Sequence, residues 1–327
     1  MTTDMKNMRP KHLSIFIVIV ALFLIAPGCE RAAPYHPLTR VIDSAPQSQN
    51  PEVLAVYVPW FGDPDHIKVG YTTDDPAVIR RQIAKAKEVG VSVFAVDWYG
   101  ERRPFLDQSY ALIQKVASEN HFKVALMYDE TEEDNGQATE ESLAAMTKAY
   151  DAYLKPGAPG RDAYLEYNGR PVIFIFPKRG HTDWNRVRAF VNNWPSPPIL
   201  IYKDDPPPQY ASDFDGYYAW VHPGSKGWVP DGKNWGEDYL QSFYAKMEKM
   251  PDKIAVGTAW PGFNDTKASW SMNRHIDERC GKTFEDTLHL FRSYNQIRPM
   301  PFLMIATWND YEEGTAIEPG VGHGCHS

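Results

Sequence analysis

Runs of apolar, β-branched and aromatic residues alternate with charge-bearing segments of helical pattern from Val53 onward. This alternation predicts a parallel sheet whose strands are joined by crossover helices. Eight such runs occur, and we predict a strand in each: Val53–Pro59, Val91–Asp97, Lys123–Tyr128, Pro171–Phe176, Ile199–Tyr202, Gly216–Trp220, Ile254–Ala259 and Phe302–Thr307. Eight strands in one repeating unit favour a closed (β/α)8 TIM barrel over an open sheet.

The intervening segments predict helices at Pro76–Val89, Phe105–Asn120, Glu140–Leu154, Asp183–Asn192, Gly236–Lys249 and Thr283–Gln296. Proline in a first helical turn and glycine after a last one, as at Pro76 and Gly90, are usual boundary signals. The region Pro195–Pro208 is so rich in proline that we expect a loop or short turn as the fifth crossover. Only residues 308–327 follow the eighth strand, so we expect a short or missing eighth helix.

The first segment has the pattern of a targeting signal. Three basic residues precede an apolar run from Leu13 to Ala26, which is shorter than the about 20 residues of a membrane span. Gly28 before Cys29 is similar to a bacterial lipoprotein cleavage box. We therefore predict a lipoprotein signal peptide over residues 1–28, lipidation of Cys29, a tether over 29–51 and a barrel domain over 52–327.

This signal predicts a location in the bacterial cell envelope, with contact to the membrane only through the lipid. Plain secretion, if the cleavage box is not used, and an uncut anchor stay open. The formal charge of −8 argues against a nucleic-acid partner, which would need clustered Lys and Arg. With Cys29 assigned to the lipid, Cys280 and Cys325 are the two remaining cysteines. They could pair in an oxidising envelope, but two cysteines are too few for a disulfide framework.

The predicted strand ends share aromatic and acidic side chains. Barrel enzymes carry their chemistry at the carboxyl ends of the strands. A single tryptophan is more typical of a core. Six strand ends that carry aromatic and acidic residues indicate an aromatic, acidic cleft, which is the composition of a carbohydrate site. We predict that these residues contact an oligosaccharide or polysaccharide: Trp60, Asp97, Trp98, Tyr128, Glu130, Tyr218, Trp220, His222, Trp260 and Asn309.

The segment from Ile305 to Pro319 changes from an apolar run into acids and aromatics. It contains four carboxylates, Asp310, Glu312, Glu313 and Glu318. A strand that ends in a carboxylate-rich loop with a glycine is how many barrel enzymes display acid and base groups. A solvated acidic loop is the alternative interpretation.

Competing chemistries have weaker signals. No glycine-rich phosphate loop follows the first predicted strand, and no Gly-x-Ser-x-Gly elbow is present. The tail His323-Gly-Cys-His326 could bind a metal, but such tails are usually solvated. We predict no metal and no cofactor.

Five segments resemble glycoside hydrolase family 99, the endo-α-mannosidases, within the wider group that joins it to family 71. They are Tyr57–Pro64, Phe94–Gly100, Gly169–Val172, Gly257–Thr266 and Trp308–Pro319, and together they span roughly residues 52–319. The last segment, Trp-Asn-Asp-Tyr-Glu-Glu-Gly-Thr-Ala-Ile-Glu-Pro, is the most specific.

The resemblance implies a (β/α)8 barrel, no metal, and retaining hydrolysis of α-mannosidic bonds within a glycan. The family's Asn-Glu-Trp-x-Glu-Gly motif places its two catalytic carboxylates on Asp310 and Glu313. It implies that Asp310 assists the 2-hydroxyl of the substrate and that Glu313 acts as acid and then base. Tyr218 matches a family tyrosine near the site.

The chain departs from the family at three places in these segments. Asp310 stands for Glu, Tyr311 stands for Trp, and Lys267-Ala-Ser-Trp270 stands where Arg-Pro-Trp is usual. These departures leave two alternatives to an α-mannoside hydrolase. One is a family 71-like α-1,3-glucanase, and the other is a non-catalytic, lipid-anchored glycan binder.

Overall fold

Eight parallel strands close into a barrel in the computed structural model, which describes residues 50–131, 136–178 and 181–319. The strands are β1 (Glu52–Tyr57), β2 (Val93–Trp98), β3 (Lys123–Asp129), β4 (Arg170–Phe176), β5 (Ile199–Lys203), β6 (Gly216–Tyr218), β7 (Ile254–Ala259) and β8 (Phe302–Ile305). Each strand pairs with the next, and β8 pairs with β1 in a register that sets Met304 opposite Leu54. The predicted (β/α)8 barrel is confirmed, with a strand in each predicted run.

Six α-helices lie in the described ranges: α1 (Pro76–Glu88), α2 (Pro104–Glu119), α3 (Ala138–Ala149), α4 (Trp184–Val191), α5 (Glu237–Glu248) and α6 (Lys282–Ile297). Asp75 caps α1 by accepting the Ala77 amide at 2.7 Å, and proline follows at the first helical position. A short 3-10 helix, Pro208–Asp213, is the regular element of the proline-rich fifth crossover. Residues 306–319 contain no helix.

The core has two layers because successive strand side chains face opposite sides. Inward-facing residues such as Leu54, Ala95, Met127 and Phe174 fill the barrel. Their sequence neighbours, such as Phe94 and Tyr128, pack outward against the helices. Each strand end therefore presents one side chain to the barrel mouth and the next to the helical layer.

A two-stranded ribbon beyond β7 lies against the loop that follows β8. Phe263–Asn264 pairs with His275–Ile276, and the Asn264 amide donates to the Glu313 carbonyl at 2.7 Å. Gly314 has φ +62°, a left-handed conformation that suits glycine, and a Cβ at this position would lie 3.3 Å from Asn264. The ribbon therefore fixes the acidic loop at the barrel mouth.

The predicted signal peptide, the lipidated Cys29 and nearly all of the tether lie outside the described residues, so these assignments and the envelope location stay predictions. None of the helices in the described ranges is long and apolar enough to cross a membrane. Cys280 is disulfide-bonded, whereas Cys325 lies outside the described residues.

We expect Gly257→Ala to destabilise the barrel. A Cβ at Gly257 on β7 would overlap the ring of Phe291, a buried residue of α6. Overpacking of this kind costs about 1–3 kcal/mol in the free energy of unfolding, which urea titration would measure. The double variant Gly257→Ala/Phe291→Leu should recover part of the loss. Equal losses in the single and double variants would contradict this account of the contact.

Candidate functional site

The carboxyl ends of β2 to β6 place a set of side chains on the inner face of the barrel. Side chains on a strand face the same side at every second residue, so the residues two positions after buried inward residues such as Ala95, Met127 and Ile201 also face inward. This inward set consists of Asp97, Asp129, Phe176, Lys203 and Tyr218. We call these five residues, together with Lys178 and Trp220, the floor of the cleft.

The floor combines buried charges with an aromatic wall. Lys178 Nζ lies 3.1 Å from Asp129 Oδ2, and Lys203 Nζ lies 3.6 Å from the centre of the Phe176 ring. The Trp220 ring meets Phe176 edge-on at 5.3 Å between centroids. A cation over an aromatic face is attracted by the ring quadrupole. Phe176 and Trp220 therefore form an apolar surface beside two ammonium groups.

Burial perturbs the floor carboxylates. Desolvation raises the pKa of Asp97 well above its usual range, and the nearby Asp129 charge raises it further. Desolvation also raises the pKa of Asp129 to about 6, although Lys178 opposes the shift. Carboxyls whose pKa values are raised in a cleft are candidates for proton chemistry.

The loop after β8 brings Asp310 and Glu313 together. Asp310 Oδ1 accepts the amide N–H groups of Glu312 at 3.0 Å and Glu313 at 2.9 Å, which fixes a tight turn. Asp310 is buried, whereas the Glu313 side chain is 18% exposed. Burial raises the pKa of both carboxyls, and the charge of Glu313 raises that of Asp310 further. Two interacting carboxylates of unequal exposure therefore lie at the mouth.

Two side chains from the ribbon segment touch Glu313. Trp270 Nε1 donates to Glu313 Oε1 at 3.0 Å, and Arg274 Nη2 lies 3.9 Å from the same oxygen. The Trp270 ring stands edge-on to Trp60 at 5.9 Å between centroids, and Trp60 stacks on His66 at 4.7 Å. Of the predicted residues, the structure thus brings Trp60 close to the acidic loop, and it brings Asp97, Tyr218 and Trp220 to the floor.

Three predicted contact residues face the helical layer. Trp98, Tyr128 and Trp260 are fully buried in the outer core. Trp98 Nε1 donates to Asp107 at 3.1 Å, and the Tyr128 hydroxyl lies 3.1 Å from that of Ser142. Trp98 and Tyr128 are one residue out of phase with the inward set, and Trp260 follows the end of β7, so we correct the placement of all three from the cleft wall to the core.

Glu130 and Asn309 hold loops in place. Glu130 accepts the amide N–H groups of Lys178 and Thr182, each at 3.0 Å. Asn309 bonds both backbone groups of Val58, as acceptor at 2.8 Å and donor at 3.0 Å. Both side chains are buried and bonded to backbone, so they position the mouth loops.

Tyr218 and His222 also bond to backbone. The Tyr218 hydroxyl donates to the Ile175 carbonyl at 3.1 Å, and the residue is fully buried in the floor. His222 is exposed, and its Nδ1 accepts the Gly224 amide at 3.0 Å. The hydrogen bond of each polar group is therefore made to backbone and not to the acidic loop.

The other two acids of the eighth loop are structural. Glu312 accepts the Ile67 amide at 3.1 Å and lies 2.8 Å from His66 Nδ1, while 1% of its surface is exposed. Glu318 accepts three side-chain hydrogen bonds, from Tyr71, Gln82 and Tyr311. This arrangement separates them from Glu313, the partly exposed acid of the loop.

Several residues of the site were not predicted from the sequence: Asp129, Phe176, Lys178, Lys203, Trp270 and Arg274. Asp129 lies between Tyr128 and Glu130, the two neighbours that the sequence predicted as contacts. Counting in twos from an inward position such as Met127 would have selected it. Trp270 and Arg274 reach the site through a tertiary contact of the ribbon, which no local pattern indicates.

Among the described residues, no group of three or more His, Cys, Asp or Glu side chains could hold a metal ion. The histidines of the tail at 323 and 326 lie outside those ranges.

Comparison with known proteins supports the fold. No protein-family model and no curated protein matches the chain in sequence. Solved structures of the GH99 endo-α-mannosidase from Bacteroides thetaiotaomicron are similar to it. One, in complex with bis-tris propane, has a TM-score of 0.63, 20% identity and coverage of 84% of this chain and 89% of that chain. Another has a TM-score of 0.62 at 19% identity, with the same coverage.

A glycoside hydrolase-like protein is also similar, with a TM-score of 0.57, 14% identity and coverage of 87% of this chain and 92% of that one. At these identities the likeness shows a GH99-like barrel fold, as the sequence motifs led us to expect.

The raised pKa of Asp129 gives stability a specific pH dependence. A carboxyl whose pKa rises from 3.8 to about 6 on folding contributes stability that is fully present below about pH 3.8 and is lost as pH rises through about 6. We expect the stability of the wild type relative to Asp129→Asn to fall across this window, as measured by urea unfolding at a series of pH values. The exposed Asp252→Asn is the control. A difference that does not change with pH would refute the burial account.

Proposed function

We propose that the chain is a glycoside hydrolase that cleaves α-linked glycans, with Glu313 as general acid and base. Cleavage needs a protonated carboxyl at the leaving oxygen and a second carboxylate that promotes attack at the anomeric carbon. The observation that carries the proposal is the pairing of Glu313, partly exposed at the mouth, with the buried Asp310. Burial raises the pKa of Glu313, so this carboxyl keeps its proton at higher pH than an ordinary glutamate.

Asp310 is the partner carboxylate in this proposal. Its Oδ1 is occupied by two backbone amides, and Oδ2 makes no hydrogen bond within the described part of the chain. The side chain is one methylene shorter than the glutamate of the family motif, so the tight turn sets its reach. We infer that Oδ2 is the oxygen that assists the 2-hydroxyl, as the resemblance implies.

The aromatic groups supply the sugar-binding surfaces. Trp270 contacts Glu313, and Trp60 stands edge-on to Trp270. Phe176 and Trp220 form the apolar wall beside the floor cations. A glycan crossing the mouth would place rings on both surfaces and the scissile bond beside Glu313. The sequence resemblance supports an α-mannoside as the substrate, and the fold of the similar endo-α-mannosidase is consistent with endo action.

A glycan panel distinguishes the candidate activities. α-Mannans and α-1,3-glucans are assayed for new reducing ends and for affinity, and NMR determines the anomer of the first product. Release of products from α-mannan with retained configuration supports the family 99-like mechanism, whereas release from α-1,3-glucan supports the family 71-like alternative. Saturable binding without any product would refute the hydrolase and support the non-catalytic glycan binder.

Glu313→Gln should remove activity and keep the fold. Loss of a general acid and base costs about 10²–10⁴-fold in rate, whereas the amide is isosteric and leaves binding largely intact. Initial rates, calorimetric affinity and thermal unfolding would be measured beside Glu248→Gln, an exposed glutamate at the end of α5. Unchanged turnover in Glu313→Gln would remove this residue from the mechanism.

Trp270→Phe should shift the pH profile upward. The indole N–H stabilises the charged form of Glu313 and lowers its pKa against the effect of burial. Phenylalanine keeps an aromatic ring but lacks the donor, so the pKa of Glu313 rises and the high-pH limb of kcat/KM moves to higher pH. Trp228→Phe, at an exposed tryptophan that packs on Phe263, is the control. A shift to lower pH would contradict the assignment of Glu313 as the acid.

A further inference from the structure

Every carboxylate around the cleft has a hydrogen-bond donor of its own. Asp310 has two backbone amides, and Glu313 has the Trp270 indole. On the floor, Asp129 has the Lys178 ammonium at 3.1 Å. Asp97 is hydrogen-bonded by Tyr99, and Asp204, next to the floor, by Tyr239. Each acid of the cleft therefore has at least one donor within the protein, and Asp129 Oδ1 is the oxygen that stays buried without a partner in the described part of the chain.

Lys203 has no such compensation. It ends β5, its side chain is partly buried, and its ammonium makes no ion pair or hydrogen bond in the described part of the chain. Its contact is with the face of Phe176, 3.6 Å from Nζ to the ring centre. An ammonium has three donors, and Lys203 Nζ is not among the sealed side-chain atoms, so these donors are accessible from the cleft. The floor thus contains a cation that lacks an acceptor.

We propose that the glycan bound in this cleft carries an anionic group, a carboxylate or a sulfate or phosphate ester, and that this group pairs with Lys203. The inference rests on the proposed function, because it takes the ligand to be a glycan. An anion supplies the acceptors that the ammonium lacks, and charge-assisted hydrogen bonds are the stronger kind. The apolar wall of Phe176 and Trp220 contacts the ring of the same sugar. Lys203 is accordingly a specificity-determining residue.

The surroundings of Lys203 favour an anion over a sugar hydroxyl. Burial lowers the pKa of Lys203 to about 8, so this amine loses its proton at lower pH than an ordinary lysine. The charged groups that face it are Asp204, Lys178, Asp129 and Glu313. The carboxylates among them are bonded to other donors. A hydroxyl would supply an acceptor without charge, whereas an anion forms the stronger charge-assisted hydrogen bond with the ammonium.

The test uses matched pairs of α-linked oligosaccharides in a Glu313→Gln background, which prevents turnover. The pairs are oligogalacturonides with their carboxyl-reduced forms, and sulfated or phosphorylated mannose oligosaccharides with their unesterified forms. Calorimetry should show tighter binding of one anionic member. Lys203→Met should then weaken that binding about tenfold or more without changing affinity for the neutral member, and Lys203→Arg should keep most of it.

The pH dependence gives a readout that a merely structural role would not change. Affinity for the anionic ligand should fall as pH rises through about 8, where Lys203 loses its proton. Lys203→Arg should abolish this fall, because a guanidinium stays charged. Thermal unfolding of each variant checks the fold.

The outcomes separate this inference from the proposed function. The inference would be overturned by equal affinity for the charged and neutral members of every pair, or by an anion preference that Lys203→Met retains. Neither result would refute the proposed hydrolysis of neutral glycans, which the glycan panel tests separately. Lys203-dependent binding of an anionic glycan, without hydrolysis of any glycan by the wild type, would support the inference and refute the hydrolase.

Discussion

A side chain on a barrel strand faces either the interior or the helices, and its neighbour in sequence faces the other way. The site depends on this constraint. Closure of β3 against β4 and of β8 against β1 leaves one inner surface, and its upper edge is formed by the last inward residue of each strand. Asp97, Asp129, Phe176 and Lys203 meet there because each lies an even number of residues beyond a buried inward position. A shift of one residue would send all four into the helical layer.

Most of the fold was predictable from the sequence because it depends on repetition. Apolar runs and helical segments recur eight and six times, and a single misjudged boundary does not alter the barrel. The site depends on single positions. Trp98 and Asp97 are adjacent and both suit a sugar site by residue type, but only Asp97 faces inward. Strand boundaries that are uncertain by one or two residues cannot separate such a pair.

The acidic loop shows a second limit. Glu312 and Glu313 are the same residue type one position apart, and the sequence favoured Glu313 only through its glycine neighbour. The structure separates them by contacts with segments distant in the chain. Glu312 anchors the loop at His66 and Ile67, and Glu313 meets Trp270. The contacts of Glu312 with His66 span 246 residues of the chain and the contact of Glu313 with Trp270 spans 43, and a local sequence pattern indicates neither, so a buried anchor and an accessible acid look alike in sequence.

The distribution of charge over the cleft also bears on the direction in which a substrate binds. Asp310 and Glu313 lie at the β8 side, and Lys203 lies at the end of β5 on the other side of the barrel. An anionic sugar bound over Phe176 places its charge next to the ammonium. The reversed orientation would place that charge beside Asp310 and Glu313, where like charges repel in a poorly solvated site. If Lys203 pairs with the substrate, its position on the floor therefore selects the substrate and also decides which glycosidic bond reaches Glu313.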